Sequence, residues 1–360
     1  MWPRRDLLDL LGIEHPIIQA PMAGANGSAM AIAVCEAGGL GSLPCAMLDG
    51  AKTRAEIGVI RQQTANPLNV NFFCHKPAAP DPDRGTAWMR HLAAYYEELG
   101  LDAPAEAEAV NRTPFGEAMC EIVEDLKPEV VSFQFGLPEK PLLGRIKDAG
   151  CRVLGAATTV EEARWLEDKG CDAIVAQGNE AGGHRSMFLT EDVATQAGTF
   201  ALVPQVVDAV KVPVIATGGI ADGRGVAAAF ALGAAGAQIG TAYLFTPESL
   251  ISDLHRTALR TARDDGTALT NLFSGRPARG LMNRIMREIG PMSDLAPAFP
   301  TAGGALAPLK AAAEAQGASD FSSLWSGQAA GLCHETGAGD LTRQLAEEAA
   351  QRLRELALPG

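Results

Sequence analysis

Eight short apolar runs alternating with segments of helical spacing constrain this chain more than any other feature. Strands are predicted over Pro16–Ala20, Leu40–Leu43, Leu68–Phe73, Val130–Phe135 and Arg152–Ala156. Three more follow at the run opening with Ala173, at Val214–Thr217 and at Gln238–Gly240. The run Ala-Ile-Val-Ala, bounded by polar and Gly residues, suits a parallel strand buried on both faces. Helices are predicted over Ser28–Glu36, Thr53–Thr64 with Thr53 as N-cap, Phe115–Leu126, Lys140–Asp148, Thr159–Lys169, roughly 200–210 and Gly223–Leu232. Thr159 with Glu162 three residues on fits a capping box.

Eight such units over about 240 residues match the count and length of a (β/α)8 TIM barrel. An open doubly wound sheet would instead gather polar site residues at one switch point. Here Pro21-Met22, Asn71, Gln134, Thr158, Gln177, Gly218-Gly219 and Gly240-Thr241 end nearly every strand. The predicted class is therefore α/β, a barrel.

The rhythm breaks twice. Residues 76–112 contain a Pro-rich loop, a predicted helix at Ala87–Leu99 and an acidic connector at 103–111, read as an elaborated crossover. After Thr246 the alternation stops. The stretch 247–290 is charged and expected to be mostly helical, a Pro/Gly-rich segment follows to Pro308, and helices are predicted at Leu309–Glu314 and Leu341–Leu356. The expected organisation is a barrel over 1–246, completed by a C-terminal helix within 331–360, with 247–330 as a smaller, mostly helical cap domain.

Composition narrows the function. A net charge of −13 argues against non-specific nucleic-acid or anionic-membrane binding. Seven cysteines without a CxxC pair favour a reducing, cytoplasmic setting. The N-terminal apolar stretch is broken by Asp6, Asp9 and Glu14, unlike a signal peptide, and no run is long enough to span a membrane. The histidines lack HxH or HExxH spacing, so no metal site is expected. GxSxG is absent, and no GxGxxG follows a first strand.

The candidate site is therefore drawn from strand ends. Ala173–Met187, AIVAQGNEAGGHRSM, places Gln177 at a strand end, then Gly182-Gly183, where bare backbone admits a ligand, then His184, which moves protons near neutral pH. Gly218-Gly219 and Gln238-Ile239-Gly240-Thr241 end the last two strands, where barrels commonly bind phosphate. Asn71, Gln177, Gly182 and the Met22 backbone around such a phosphate suit FMN, whose ring edge needs amide partners. Arg185 is a candidate for attracting an anion, with a solvated or salt-bridged arginine as the plainer reading. Cys45 and Cys74 are read as packing residues.

APMAG at 20–24, NVNFF at 69–73, AQGNEAGGHR at 176–185, ATGGIADG at 216–223, QIGT at 238–241 and LWSGQAAGL at 324–332 together resemble the nitronate monooxygenases. The resemblance covers essentially the whole chain. It implies an FMN-containing barrel with a smaller second domain, and oxidation of an alkyl nitronate by O2 to a carbonyl compound and nitrite. Small carboxylated nitronates such as propionate 3-nitronate, or neutral nitroalkanes, are the implied substrates. His184 falls on the catalytic histidine. Met22, Asn71, Gln177, Gly182, Gly183, Gly218, Gly219, Gln238, Ile239, Gly240 and Thr241 fall where FMN contacts are expected, and Ser326–Gln328 would approach the flavin. Two positions depart from the pattern: Gln134, where a histidine is expected, and Ser186, where a glycine often follows the His-Arg pair. Competing readings are an FMN-dependent enoyl-acyl-carrier-protein reductase using NAD(P)H and a non-catalytic flavin-binding protein. A homodimer is the assembly entertained.

Overall fold

The computed structural model describes residues 2–79, 81–104 and 112–357. The strands in chain order are β1 (Ile17–Gln19), β2 (Gly41–Pro44), β3 (Leu68–Phe73), β4 (Val130–Gln134), β5 (Arg152–Ala157), β6 (Ala173–Gln177), β7 (Gly183–His184), β8 (Val214–Thr217), β9 (Gly236–Ile239), β10 (Thr267–Thr270) and β11 (Ala278–Leu281). Eight of them form one parallel sheet in the order β1-β9-β8-β6-β5-β4-β3-β2. A parallel bridge between Ile18 and Leu40 joins its two ends. Across that seam the Gln19 N–H donates to the Leu40 carbonyl at 3.0 Å and the Leu40 N–H to Ile17 at 2.9 Å. The barrel expected from the alternation is the fold observed.

Alternation along each strand sorts side chains into two cores. Ile18, Leu40, Val130, Leu154, Val175 and Ile215 converge with Leu7, Leu8 and Leu11 of a short helix at Asp6–Leu11. That helix, which the apolar pattern alone leaves unassigned, closes one end of the barrel. Neighbouring residues such as Val70, Val131, Ile174 and Ala216 turn outward into the cluster shared with the surrounding helices. The C-terminal helix, Ala338–Ala357, packs Leu341, Leu345 and Ala349 against Met30, Val34 and Val226. Tyr243 and Thr342 share a buried hydroxyl hydrogen bond of 2.7 Å beneath it.

Local details differ from expectation in three places. The helix placed at 53–64 runs over Gly50–Gln63, because the Asp49 carboxylate accepts from the Lys52 N–H at 2.8 Å and is the better cap. Thr53 lies inside the helix, buried. Thr159 does cap its helix, but Glu162 reaches the N–H of Thr158 rather than that of Thr159, so the box is only half formed. The stretch 247–290 is not mostly helical. β10 and β11 form an antiparallel pair there, and β7, contributed from the barrel loop, is its third strand.

The segment read as a crossover also packs elsewhere. Its helix, Pro82–Glu98, turns Trp88, Leu92 and Tyr96 into a cluster with Leu272, Ile285, Leu309 and Phe321. Trp88 Nε1 donates to the Ala302 carbonyl at 3.2 Å and Tyr96 Oη to Ala305 at 2.7 Å. A contiguous boundary at 246 separates this helix from residues it packs against, since a chain can return to a body it has left. The acidic connector falls largely on 105–111, outside the described residues.

The helix pair made by Gly223–Ala231 and the C-terminal helix needs a glycine at Gly223. A Cβ there would press into the Glu348 side chain and stand 2.7 Å from the Ala349 nitrogen. Gly223→Ala is expected to destabilise the protein by about 1–3 kcal/mol, the range of an overpacked contact, read as a lower denaturant midpoint at unchanged slope.

Candidate active site

The C-terminal ends of the barrel strands open into a cavity of about 580 Å³, lined among others by Asn71, Gln134, Gln177, His184, Gly218 and Thr241. Its volume lies in the range of small-molecule sites, and the opposite barrel end is plugged by Leu7, Leu8 and Leu11.

After Gln177 the chain leaves the barrel, and the loop's carbonyls find guanidinium donors. Arg185, fully buried, donates to the Gly178 carbonyl at 2.6 Å, the Gln177 carbonyl at 2.7 Å and Gln196 Oε1 at 3.0 Å. Arg279 Nε donates to the Asn179 carbonyl at 2.9 Å, and Arg276 donates to that of Met187. Arg185 therefore neither attracts an anion nor sits solvated; it braces the loop. Glu180, from the same motif, accepts from the Thr199 N–H at 2.8 Å and caps the helix Thr199–Ala209.

Gly182 and Gly183 do different work. A Cβ on Gly182 would stand 2.5 Å from the Gly327 nitrogen, so its bareness admits the Ser326-Gly327 backbone, while the residue itself lines the cavity. Gly183 adopts φ +69° and an added Cβ would meet no protein atom within 4 Å, at the wall of the cavity. The WSGQ stretch is fastened over the loop by Gly327 N–H to Thr241 Oγ1 at 2.9 Å and Gln328 N–H to the Glu180 carbonyl at 3.0 Å.

β7 pairs with β11, and this places His184. The amides of Gln177 and Gln134 both donate to the His184 carbonyl, at 3.1 and 3.2 Å. Gln177 Oε1 also accepts from the Ser186 N–H at 2.8 Å. Gln134, singled out as a departure, thus helps hold the histidine, while the Ser186 hydroxyl is buried without a partner. The imidazole Nε2 lies 2.9 Å from Ser274 Oγ. Four rings surround it: Trp325 at 5.5 Å, Phe299 at 5.6 Å, Phe135 at 6.0 Å and Phe73 at 6.4 Å. Arg112 sits over Phe299 and Arg276 over Phe135, 5.6 and 4.1 Å from the ring centroids. Burial, then the two guanidiniums, push the His184 pKa down to about 3. A value near neutrality, expected from the sequence, does not survive this cage. The ring is neutral.

The other sequence candidates divide. Asn71, Gln238, Gly218, Gly219, Gly240 and Thr241 all line the cavity. Asn71 Nδ2 donates to Ser132 Oγ at 3.0 Å. Gly218 and Gly219 need their positive φ values, +110° and +71°. Met22 lines the cavity, but its N–H donates to Asn26 Oδ1 at 2.9 Å, so that backbone donor is taken. Ile239 stands apart: its side chain is buried in the outer cluster with Ile17 and Leu345, and its neighbours Gln238, Gly240 and Thr241 line the cavity in its place. Sequence reasoning missed Ser274, Arg112, Arg276, Phe135 and Phe299. Ser274 and Arg276 share one short SGRP stretch at 274–277, but nothing in that stretch indicates that it folds back to β7.

The chain matches the nitronate monooxygenase family model over residues 4–348. The chain belongs to the nitronate monooxygenase family. It is 42% identical over 355 residues to a nitronate monooxygenase of Paraburkholderia phytofirmans, covering 98% of this chain and 97% of that one. Among solved structures it is similar to a nitroalkane oxidase from Streptomyces ansochromogenes, at 38% identity and a TM-score of 0.89, covering 98% and 100% of the two chains. FabK from Thermotoga maritima is also similar, at 28% identity and a TM-score of 0.73 over 99% of each chain. Nitronate monooxygenases are flavin-dependent oxidoreductases, and this chain is one by family. Among the described residues, no helix is long and apolar enough to cross a membrane.

Two expectations follow from the loop and the cage. Arg185→Lys replaces a planar fork by a point donor that cannot serve three acceptors, so stability should fall by about 1–3 kcal/mol in a denaturant titration. His184 and His255 have folded pKa values near 3 and 4, below the ordinary 6.5. Between those values the unfolded chain binds protons that the folded one does not, so stability is present above pH 6.5 and is lost as pH falls toward 4. Unfolding midpoints measured across that window should drop, and His184→Asn should flatten the slope by about one proton.

Proposed function

We propose that this chain binds FMN and oxidises alkyl nitronates with O2, yielding a carbonyl compound and nitrite. The observation that carries this is the place of His184, at the cavity wall between aromatic rings with guanidiniums behind two of them. A neutral imidazole beside fixed positive charge suits an anion that must be held without being protonated.

The residues present fit FMN. Neutral amides and hydroxyls, Asn71, Gln177, Gln238 and Thr241, line the inner cavity and match the polar edge of a flavin ring. The open wall at Gly183 leaves room for a flat group. Gly218-Gly219 and Gly240-Thr241 would receive the phosphate at the ends of β8 and β9. FMN, when bound, supplies the electron transfer and the reaction with O2.

The protein's part is position and charge. Ser274 selects the tautomer of His184. When the serine donates to Nε2, Nδ1 carries the proton and can donate to a nitronate oxygen. When the serine instead donates to the Arg276 carbonyl, 3.2 Å away, Nε2 carries the proton and Nδ1 is an acceptor. An anionic substrate entering the cage raises the His184 pKa from its ligand-free value, because an opposite charge favours the imidazolium. Deprotonation of a neutral nitroalkane is the harder task for so weak a base. The rings of Phe73, Phe135, Phe299 and Trp325 keep water from the reacting groups.

The test is anaerobic mixing of the FMN-loaded protein with propionate 3-nitronate and, separately, with NADPH. Flavin absorbance should change rapidly with the nitronate and not with NADPH; rapid reduction by NADPH alone would turn the reading toward a reductase. His184→Asn should retain flavin and lose about 10²–10⁴-fold in kcat/KM for the nitronate, the usual range for a positioned proton-transfer or hydrogen-bonding group.

A further inference from the structure

Among the described residues, two cations line the cavity, Arg112 and Lys310, and Arg112 is the one that stacks on the His184 cage. It comes from the far side of the elaborated β3–β4 connection, just before Phe115, and its guanidinium lies over the outer ring of the cage, Phe299. Its Nε is buried without a hydrogen-bond partner, and no carboxylate pairs with it among the described residues. Nearby, His75 Nδ1 is also buried and unpartnered, and the His75 ring stands 4.8 Å from Phe299. Arg276 lies on the other flank, over Phe135; its Nε is likewise buried without a partner, but it does not line the cavity and another of its nitrogens donates to the Met187 carbonyl. Burying a guanidinium without a counter-ion is costly, and such a group is satisfied when an anion arrives.

Resting on the function proposed above, we infer that Arg112 is the residue that makes this site select the anionic nitronate over the neutral nitroalkane. Its guanidinium, with a buried Nε that has no partner among the described residues, gives the cavity beside His184 a positive charge that an anion would neutralise. Arg276 adds to the field through the Phe135 ring without touching the substrate. Burial first, and then the same two charges, lower the His184 pKa, which weakens it as a base toward a neutral nitroalkane. A solely structural arginine would affect both substrate forms alike.

The experiment uses FMN-loaded Arg112→Gln and Arg112→Lys beside the unmodified protein. Nitrate, a planar unreactive anion of the nitronate's charge, is titrated and its Kd read from the flavin absorbance. Freshly dissolved nitroethane at mildly acidic pH serves as the neutral competitor. Arg112→Gln should weaken nitrate and raise KM for the nitronate by about tenfold or more, leave kcat within about threefold, and leave nitroethane inhibition within about twofold. Arg112→Lys should recover most of the nitrate affinity, because it restores charge. Unchanged nitrate affinity in Arg112→Gln, or equal loss for nitrate and nitroethane, overturns the assignment. Should Arg112→Gln fail to retain flavin, Arg112→Lys decides: nitrate binding weakened together with nitroethane binding overturns it, and nitrate binding kept supports it. Nitrate binding is read without turnover, so failure of nitronate oxidation in the unmodified protein would strike the proposed reaction and not this charge assignment.

Discussion

The structure depends on how the loop after β6 satisfies its backbone. Between Gln177 and Met187 the chain crosses from barrel to cap with glycine-rich, bare peptide groups, and a buried carbonyl without a donor is expensive. Arg185, Arg276 and Arg279 answer four of those carbonyls, at Gln177, Gly178, Asn179 and Met187. Each guanidinium offers several donors in one plane, so three side chains organise a turn that secondary structure cannot pair. Burial lowers the pKa of all three arginines, which is the electrostatic cost of using cations as braces.

That bracing makes the catalytic candidate a shared property of two bodies. His184 is numbered with the barrel but hydrogen-bonds as an edge strand of the cap sheet, against Ala278. Its carbonyl is held by Gln134 and Gln177 from barrel strand ends, and its ring is held by Ser274 from the cap. The aromatic cage repeats the arrangement, with Phe73 and Phe135 supplied by strands β3 and β4 and their ends, and Phe299 and Trp325 by the cap.

How much of this was legible in the sequence follows from the range of each interaction. Elements set by local periodicity are read to the residue: Ser28–Glu36, Leu68–Phe73, Lys140–Asp148 and Val214–Thr217 all stand as predicted. The helix start at Gly50 was displaced because two neighbouring residues could cap it and Asp49 is the stronger acceptor. Gly182 reads as a close-approach glycine, and the backbone that approaches it is Ser326-Gly327, a neighbour that bareness alone does not name. Arg185 reads as an anion-attracting, solvated or salt-bridged residue because two of its acceptors are backbone carbonyls, which leave no mark in side-chain composition.

The sequence by itself determined the barrel, the end of it that carries the site, and the glycine and amide positions around the cavity. Those follow from repeats of two and 3.6 residues and from which residue types tolerate strand ends. Only the tertiary structure decided that Pro82–Glu98 packs with Leu272, Ile285, Leu309 and Phe321, that β7 joins β11, and that burial and two guanidiniums lower the His184 pKa. The last is the plainest case. A histidine's pKa is set by the groups around it, and here Arg112, Arg276, Phe299 and Trp325 come from 72 to 141 residues away in the chain, a separation that no local pattern encodes.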